Sequence, residues 1–382
     1  MNILYITHSD PRETSFGSAQ RSHFLWKALQ KLGTVYTVYN VGHEIPLVRD
    51  DAARIASWRL ASDNWCLRHL QAFFANVVSP MAFPFRLPGT VRRKLPWKGV
   101  KFDAVVVRYL AWADASKAWQ FGPLYVDVDD LPSEAYETIH RGGHRKFTGW
   151  LWGRYVRFRE RQLLKKCCGA WVANPDQVPY VERFTKCLAL PNLPLPPKEG
   201  FCREGCQKLQ LMTIGLMSYL PNYEGVDWFV GAVWPRVRER FPECVYAVAG
   251  GGVPECFKAK WSRIPGVKML GFVKYVDVLY EETLAVVTPI LSGAGTCIKV
   301  GEALVRGRKV FASRFAVRGI AEADRQTCLI DVTDDAEAFA QNIIRFLSLP
   351  QAEQRARQRQ IAASAACLYA PASFSAPVAA LL

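Results

Sequence analysis

A glycine-rich turn between an apolar run and a helical pattern is the part of the sequence best suited to chemistry. It covers residues 292–304 (SGAGTCIKVGEAL) and follows the strand-like run 284–290. A helix beginning near Gly295 would direct free backbone N–H groups and its positive dipole end at an anion. Lys299 and Glu302 would share one helix face, as a cation for phosphate and an acceptor for sugar hydroxyls. The pattern predicts a nucleoside diphosphate site; a βα turn with a solvated Lys and Glu is the alternative.

The charge of the chain favours an anionic partner. Its 382 residues include 49 Lys and Arg against 34 Asp and Glu, which gives a formal net charge of +15. Such an excess attracts nucleotides, nucleic acids or the acidic face of a membrane. No helix-turn-helix, zinc or RNA-recognition pattern accompanies the charge, so nucleic acid is not the expected partner.

The cysteines and the first residues indicate a cytoplasmic protein. The eleven cysteines are odd in number and contain no C-x-x-C pair, so we expect neither a disulfide framework nor a metal site. No cofactor is predicted. The opening run, MNILYI, lacks a preceding charged region, and no window reaches the roughly 18 apolar residues of a spanning helix. We expect a chain that is neither exported nor membrane-spanning.

Strand-like and helix-like patterns alternate along the chain and predict an α/β fold. The first such unit has a buried strand at 3–7 and a helix at 18–32. A proline-rich segment at 190–197 interrupts the alternation, which then restarts. We predict two Rossmann-like domains with parallel sheets that face a cleft, and ligands at the carboxyl ends of the strands. The expected bounds are 1–195, a linker at 196–207, a second domain at 208–364, and a segment at 365–382 that packs back on the first domain.

The order and spacing of short motifs resemble those of GT-B glycosyltransferases, specifically glycosyltransferase family 4. The resemblance extends through most of the chain and fits the subgroup with a Pro-Asn pair and a GAGTxxKxxEAL motif. In the second half it rests on 215–222 (GLMSYLPN), 234–235 (WP), 249–251 (AGG), 270–273 (LGFV), 293–296 (GAGT) and 299–304 (KVGEAL). Weaker motifs in the first half are 17–21 (GSAQR), 127–133 (DVDDLPS) and 190–192 (LPN).

The resemblance implies roles for individual residues. Glu302 would hold the donor ribose, Lys299 the diphosphate, and both would belong to the catalytic set. Asp129 or Asp130 would complete that set near the transferred sugar. The further donor-binding residues are Gly17, Ser18, Gly215, Val273, Gly295 and Thr296, with Val273 offering backbone contacts to the base and Gly17 and Ser18 facing the cleft.

The implied activity is hexosyl transfer from a nucleotide sugar to a saccharide or lipid-linked acceptor. Retention of anomeric configuration, independence of a metal ion and a place in bacterial cell-surface polysaccharide or glycolipid synthesis follow from the resemblance alone. The nearest approach to a metal-binding loop is the DVDD run at 127–130, where no metal is predicted because GT-B enzymes generally do not require one.

The sequence also departs from the family pattern. Ala294 stands where many members have the first of two Glu residues, and Cys297 stands where the subgroup often has Arg. A basic pair expected after the first strand of the second domain is replaced by 217–219 (MSY). Lys299 is therefore the main predicted diphosphate cation, assisted by Arg21 or Arg318.

A basic and aromatic stretch from Arg141 to Lys166 predicts an amphipathic helix. Such a face suits an anionic leaflet and would place the protein peripherally on the inner face of the cytoplasmic membrane. The alternative is a solvated basic face over structural aromatic residues.

Two other functions stay open. A nucleotide-sugar epimerase of GT-B architecture would bind the same donor, but it needs acid and base groups in the cleft, and all six His lie in the first half of the chain. A non-catalytic donor-binding scaffold is consistent with the changes at Ala294 and Cys297.

Overall fold

The computed structural model describes residues 1–15, 17–41, 46–58, 95–97, 99–134, 136, 146–203, 208–293 and 295–382. It divides into unit 1, formed by Met1–Leu193 with Pro371–Leu382, and unit 2, formed by Pro194–Ala370. The division after Leu193 lies next to the proline-rich segment. The second division falls at residue 370 rather than 364, because one helix, Gln351–Leu368, continues through the expected boundary.

Unit 1 is built on an eight-stranded sheet. Its strands are β1 (Asn2–Thr7), β2 (Thr34–Asn40), β3 (Arg49–Asp50), β4 (Ile55–Trp58), β5 (Ala104–Arg108), β6 (Leu124–Asp129), β7 (Gly169–Val172) and β8 (Lys186–Ala189). The order is β3-β4-β2-β1-β5-β6-β7-β8, and only the β3–β4 pair among these strands is antiparallel. Strands β4, β5 and β7 are buried along their whole length, as expected of a sheet covered on both faces.

Within the described residues, four helices of unit 1 in the first half of the chain accompany this sheet. They are α1 (Gly17–Gln30), α2 (Leu110–Ser116), α3 (Lys146–Leu164) and α4 (Val178–Val181). The chain leaves β1 towards β2 and later returns on the other side of β1 as β5. The strand order therefore reverses between β1 and β5, which is where open α/β sheets form a crevice at their carboxyl edge.

Unit 2 contains a second, fully parallel sheet. Its strands are β9 (Gln210–Ile214), β10 (Val245–Ala249), β11 (Val267–Gly271), β12 (Ala285–Thr288), β13 (Lys309–Ala312) and β14 (Asp331–Val332). The order β11-β10-β9-β12-β13-β14 places the reversal between β9 and β12. The carboxyl ends of these two neighbouring strands are thus the expected position of a ligand in unit 2.

The helices of unit 2 follow the strands in the alternation that the sequence predicts. They are α5 (Leu220–Trp228), α6 (Trp234–Arg240), α7 (Glu255–Trp261), α8 (Val276–Glu282), α9 (Ile298–Val305), α10 (Glu322–Thr327), α11 (Ala336–Leu347) and α12 (Gln351–Leu368). A π-helical turn, Phe229–Val233, joins α5 to α6. Pro221 occupies the first turn of α5, where its missing N–H costs no hydrogen bond.

The last helix, α13 (Pro371–Leu381), belongs to unit 1, where it packs on α1 and β8. The indole N–H of Trp171 donates to the carbonyl oxygen of Pro377 at 3.0 Å. By length and composition, the stretch Gln351–Leu381 could span a membrane, contrary to the expectation from sequence. It is nevertheless two helices with buried faces: Ile361 of α12 lies in the core of unit 2, and Phe374 of α13 is buried in unit 1.

Candidate active site

In unit 2, the loops that follow β9 and β12 are packed closely together. A Cβ atom at Gly225 of α5 would lie 2.2 Å from the carbonyl oxygen of Pro289, so only glycine lets α5 approach the loop after β12. The loop after β9 is fixed from its other side, where the N–H of Met217 donates to the carbonyl oxygen of Gly251 at 2.9 Å. These contacts bring together the segments at 215–225, 249–251 and 289–290.

The glycine-rich turn is a loop, and the helix begins three residues later than predicted. Gly293 and Gly295 have φ values of 129° and 80°, which a right-handed helix cannot contain, and α9 begins at Ile298. Arg318 donates to the carbonyl oxygen of Gly295 at 2.5 Å and stacks on Phe315 at 3.5 Å. Arg318, predicted as a second phosphate cation, thus contacts the backbone of the loop. Thr296 lies half-buried in the same loop.

Lys299 is the second residue of α9 and is held by a neutral side chain. Its Nζ donates to Oδ1 of Asn222 at 2.6 Å, while Nδ2 of Asn222 donates to the carbonyl oxygen of Leu216 at 2.8 Å. A Cβ atom at Gly215 would lie 2.9 Å from Lys299 Nζ. The fold therefore places these two predicted donor-binding residues next to each other. The contact through Asn222 was missed, although Asn222 belongs to the Pro-Asn pair of the motif. A cation in the first turn of a helix is electrostatically unfavourable unless an anion binds there.

Glu302 follows Lys299 by one helical turn and is half-buried. Its neighbour Tyr280 is fully buried, and burial, with the charge of Glu302 adding to it, raises the pKa of that phenol well above its ordinary value. Val273 follows the end of β11 and is also half-buried, next to Phe272, whose side chain is 81% exposed. These positions keep Glu302 and Val273 on the carboxyl side of the unit 2 sheet.

Unit 1 has its own group of polar side chains at the reversal of its strand order. His8 follows β1, Tyr109 follows β5, and Asp129 ends β6, with Asp130 directly after it. The rings of His8 and Tyr109 lie 5.5 Å apart. Tyr109 and Asp129 have positive φ values of 66° and 64°, a strained backbone conformation for non-glycine residues that is concentrated at functional sites.

Asp129 also belongs to a largely buried ion cluster, which we define as Arg21, Arg108, Asp127 and Asp129. Asp127 accepts from Arg21 at 2.7 Å and from Arg108 at 2.5 Å, and Arg108 also contacts Asp129 at 3.2 Å. Burial alone would raise the pKa of Asp127, but the two guanidinium groups hold it below its ordinary value. The cluster contains two positive and two negative side chains, so its charges balance.

The ion cluster also shows why Arg21 is not a phosphate cation. Its guanidinium group is 1% exposed and donates to the carbonyl oxygen of Leu190 at 2.8 Å and to Oδ1 of Asn192 at 3.0 Å. The prediction that Arg21 assists Lys299 is therefore wrong. Gly17 and Ser18, from the same motif, form the first turn of α1 and are half-buried.

His8 is kept neutral by its surroundings. Burial and the positive charge of Arg108 lower the pKa of its imidazole to about 4, against the opposing effect of Asp129. An uncharged imidazole can donate or accept a hydrogen bond at neutral pH. The sequence does not reveal this environment of His8, because its neighbours Arg108 and Tyr109 are about a hundred residues away in the chain.

Comparison with known proteins gives a matching family model within unit 2. Residues 208–348 match the family model described as glycosyl transferases group 1. Among curated proteins, none matches the sequence. The match covers β9 to α11, and thus contains the loops around Gly215, the glycine-rich turn, Lys299 and Glu302.

Solved structures similar to the whole chain are GT-B glycosyltransferases. Sucrose-phosphate synthase from Thermosynechococcus elongatus aligns with a TM-score of 0.68 at 14% identity, covering 100% of this chain and 98% of that one. An α,α-trehalose-phosphate synthase (UDP-forming) from Burkholderia vietnamiensis gives 0.67 at 14% identity, with 100% and 98% covered. The pneumococcal O-GlcNAc transferase GtfA, in complex with UDP and GlcNAc, gives 0.63 at 11% identity, with 99% and 98% covered.

The chain therefore has the GT-B fold and carries a group 1 glycosyltransferase domain, and it is a glycosyltransferase enzyme. The prediction of an α/β fold with two Rossmann-like domains and parallel sheets is confirmed.

Proposed function

We propose that the protein transfers a hexosyl group from a nucleoside diphosphate sugar to a saccharide or lipid-linked acceptor. The observation that carries the proposal is Lys299, a cation in the first turn of α9, held by a neutral amide at the reversal of the unit 2 strand order. Two of the similar structures name UDP, as a product or as a bound ligand, which supports a uridine nucleotide as the donor. A place in bacterial cell-surface polysaccharide or glycolipid synthesis is part of this proposal and rests on the resemblance to glycosyltransferase family 4.

The proposed reaction needs stabilisation of a leaving diphosphate above all. The bond from the anomeric carbon to the diphosphate oxygen breaks, and its electron pair leaves with the diphosphate. Lys299 and the backbone N–H groups at Gly295 and Thr296 stabilise that charge, without a metal ion. The acceptor hydroxyl forms the new bond on the same face and gives its proton to the departing oxygen, so the configuration is retained. Asp129 or Asp130 contacts the transferred sugar.

The first experiment is thermal unfolding of the purified protein with UDP, GDP, ADP, TDP and their sugars. A ligand that binds the native state raises the melting temperature, and about 100 Kd of free ligand adds about 2.7 kcal/mol of stability. We expect one nucleotide to stabilise the wild type and to lose its effect in Glu302→Ala. Asp324→Ala, which removes an acidic residue from α10 of the same unit, is the matched control.

The rival functions predict other outcomes. A scaffold with a degenerate site shows no shift with any nucleotide although the protein is folded, which would contradict the proposal. An epimerase converts the bound nucleotide sugar to its epimer without an acceptor. No nucleoside diphosphate then accumulates in proportion to a glycosylated product. A transferase releases nucleoside diphosphate only when an acceptor is glycosylated, which mass spectrometry of the product detects.

We further propose that one face of α3 binds an anionic membrane surface and brings the enzyme to a lipid-linked acceptor. Trp150 and Phe158 are 56% and 55% exposed, and Arg154 lies over the Trp150 ring at 5.0 Å. With the exposed Arg161 and Lys165, they fall within an arc of about 80° around the helix. Basic and aromatic side chains on one exposed face complement anionic headgroups. The part of the stretch at 141–145 lies outside the described residues.

Co-sedimentation with vesicles tests this surface. We expect binding to phosphatidylglycerol vesicles, little binding to phosphatidylcholine vesicles, and a loss of about fivefold or more in Arg154→Glu, because each basic residue near such a surface contributes about 1 kcal/mol. Lys31→Glu, at an exposed position after α1, is the matched control. Equal binding of both variants to anionic vesicles would show that the α3 face is a solvated surface.

A further inference from the structure

Asn222 is a buried amide at the point where two loops of unit 2 meet. It lies in the first turn of α5 and is 7% exposed. Its Nδ2 donates to the carbonyl oxygen of Leu216, and its Oδ1 accepts from Lys299. Because an amide has a donor end and an acceptor end, the contact with Leu216 decides that the acceptor end faces Lys299.

The neutral character of this contact has an electrostatic consequence. Among the residues that the structure describes, none places a carboxylate within ion-pair distance of Lys299. The amide oxygen takes one of the three N–H groups of the ammonium and cancels none of its charge. A carboxylate at the same position would hold Lys299 equally well but would neutralise it.

The space around this contact is narrow. A Cβ atom at Gly215 would lie 3.1 Å from Asn222 Nδ2 as well as 2.9 Å from Lys299 Nζ. The loop that carries the acceptor of Nδ2 is itself fixed, because Met217 is fully buried. Lys299 therefore has one defined partner in a rigid setting, which pre-organises its ammonium group.

We propose that Asn222 is a positioning residue that keeps Lys299 both fixed and fully charged for the donor diphosphate. It acts through Lys299 and does not itself contact the ligand. This inference rests on the proposed function of the site, and it adds the reason why an amide, and not a carboxylate, occupies position 222.

The test compares Asn222→Asp with the wild type by calorimetric titration of UDP and of uridine. Asp keeps the shape of the side chain, but it neutralises Lys299 and loses the donor to Leu216. We expect UDP affinity to fall by at least about tenfold, the value of one charge-assisted hydrogen bond, and uridine affinity to stay unchanged. Asn222→Ala, which stays neutral, should lower UDP affinity less than Asp does, and it serves if the Asp variant does not fold.

Two controls separate positioning from general damage. Gln210→Glu also places a carboxylate at a buried amide, 7% exposed, at the opposite end of β9, and it should leave UDP affinity unchanged. In a Lys299→Met background, Asn222→Asp should have no further effect on UDP affinity, since the two residues act as one unit.

The outcomes distinguish this inference from the proposed function. If the wild type binds UDP and Asn222→Asp binds it equally well, the inference is overturned and the donor site stands. An equal loss for uridine, or an undiminished loss in the Lys299→Met background, also overturns it. If the wild type binds none of the nucleotides in the panel, the proposed function and the inference both fail.

Discussion

Arg21 and Arg108 of unit 1 are held in the opposite way to Lys299 of unit 2. In unit 1, Arg21 and Arg108 are at most 1% exposed and are paired with carboxylates in the ion cluster. In unit 2, Lys299 is half-buried and is held by the neutral oxygen of Asn222. A buried cation needs its carboxylate partner, because removing that partner leaves an uncompensated charge in the interior, whereas a cation with a neutral partner retains charge for a ligand.

This difference shows how a structural basic residue can be told from a ligand-binding one when both lie in similar motifs. Arg21 and Lys299 both follow a glycine at a strand–helix turn, and both belong to motifs of the family resemblance. The chemical type of the partner separates them: a carboxylate for Arg21 and an amide for Lys299. Arg21 connects α1 to β6 and to the segment after β8, which is a structural task.

The largest effect is expected from Asp127→Asn. The change leaves Arg21 and Arg108 buried with only Asp129 as counter-ion. Breaking a buried ion pair by removing one partner costs about 3–5 kcal/mol, and we expect a loss of this size in the free energy of unfolding. Urea unfolding followed by circular dichroism measures it.

An exposed ion pair of the same unit provides the control. Arg49 and Asp51 contact at 2.7 Å with side chains 55% and 67% exposed, so Asp51→Asn should cost no more than about 1 kcal/mol. If Asp127→Asn also cost less than that, the ion cluster would not be structural and the comparison between the units would fail.

Lys299→Met should show the opposite behaviour, a loss of ligand affinity without a loss of stability. Met keeps the apolar stem and removes the charge, so UDP affinity should fall about 10- to 100-fold, as expected for hydrogen bonds to a charged group. Calorimetric titration measures the affinity, and thermal unfolding without ligand should be nearly unchanged. Lys258→Met, at an exposed position of α7, is the control. A large loss of stability in Lys299→Met would assign Lys299 to the structural class.

The sequence predicted most of the fold because its local signals are strong. The apolar run at 3–7 is a buried strand, and the strand–helix alternation specifies parallel sheets. The start of α9 was misplaced because two left-handed glycines extend the loop, and glycine alone does not reveal its φ.

The side-chain partners were harder to predict, because they depend on contacts between distant segments. Arg21 meets Asp127 across 106 residues, and Asn222 meets Lys299 across 77. Sequence spacing places these residues at the carboxyl edges of their sheets, but only the folded chain shows which cation is already paired. The predicted roles of Asp129, Asp130, Gly17 and Ser18 stay predictions.

Gly215→Ala tests whether the position of the Lys299 ammonium group controls UDP affinity. The new Cβ atom would lie 2.9 Å from Lys299 Nζ, so the ammonium group must move away from its place beside Asn222. We expect UDP affinity to fall by about tenfold, a smaller loss than removal of the charge. Gly231→Ala, where a Cβ atom would meet nothing within 4 Å, should leave affinity unchanged. Equal affinities for both variants would mean that the position of Lys299 does not control binding.

A further effect concerns the pH dependence of the stability of unit 1. The pKa of His8 is lowered from 6.5 to about 4 by burial and by Arg108, while Asp129 opposes the shift. The unfolded chain therefore binds more protons than the folded one between these values, so the stabilising contribution of neutral His8 is complete above about pH 6.5 and declines as the pH falls towards 4. We expect the free energy of unfolding of the wild type, relative to that of His8→Gln, to decrease as the pH falls from 6.5 towards 4. A difference that stays constant with pH would show that neither burial nor the charge of Arg108 perturbs the imidazole of His8.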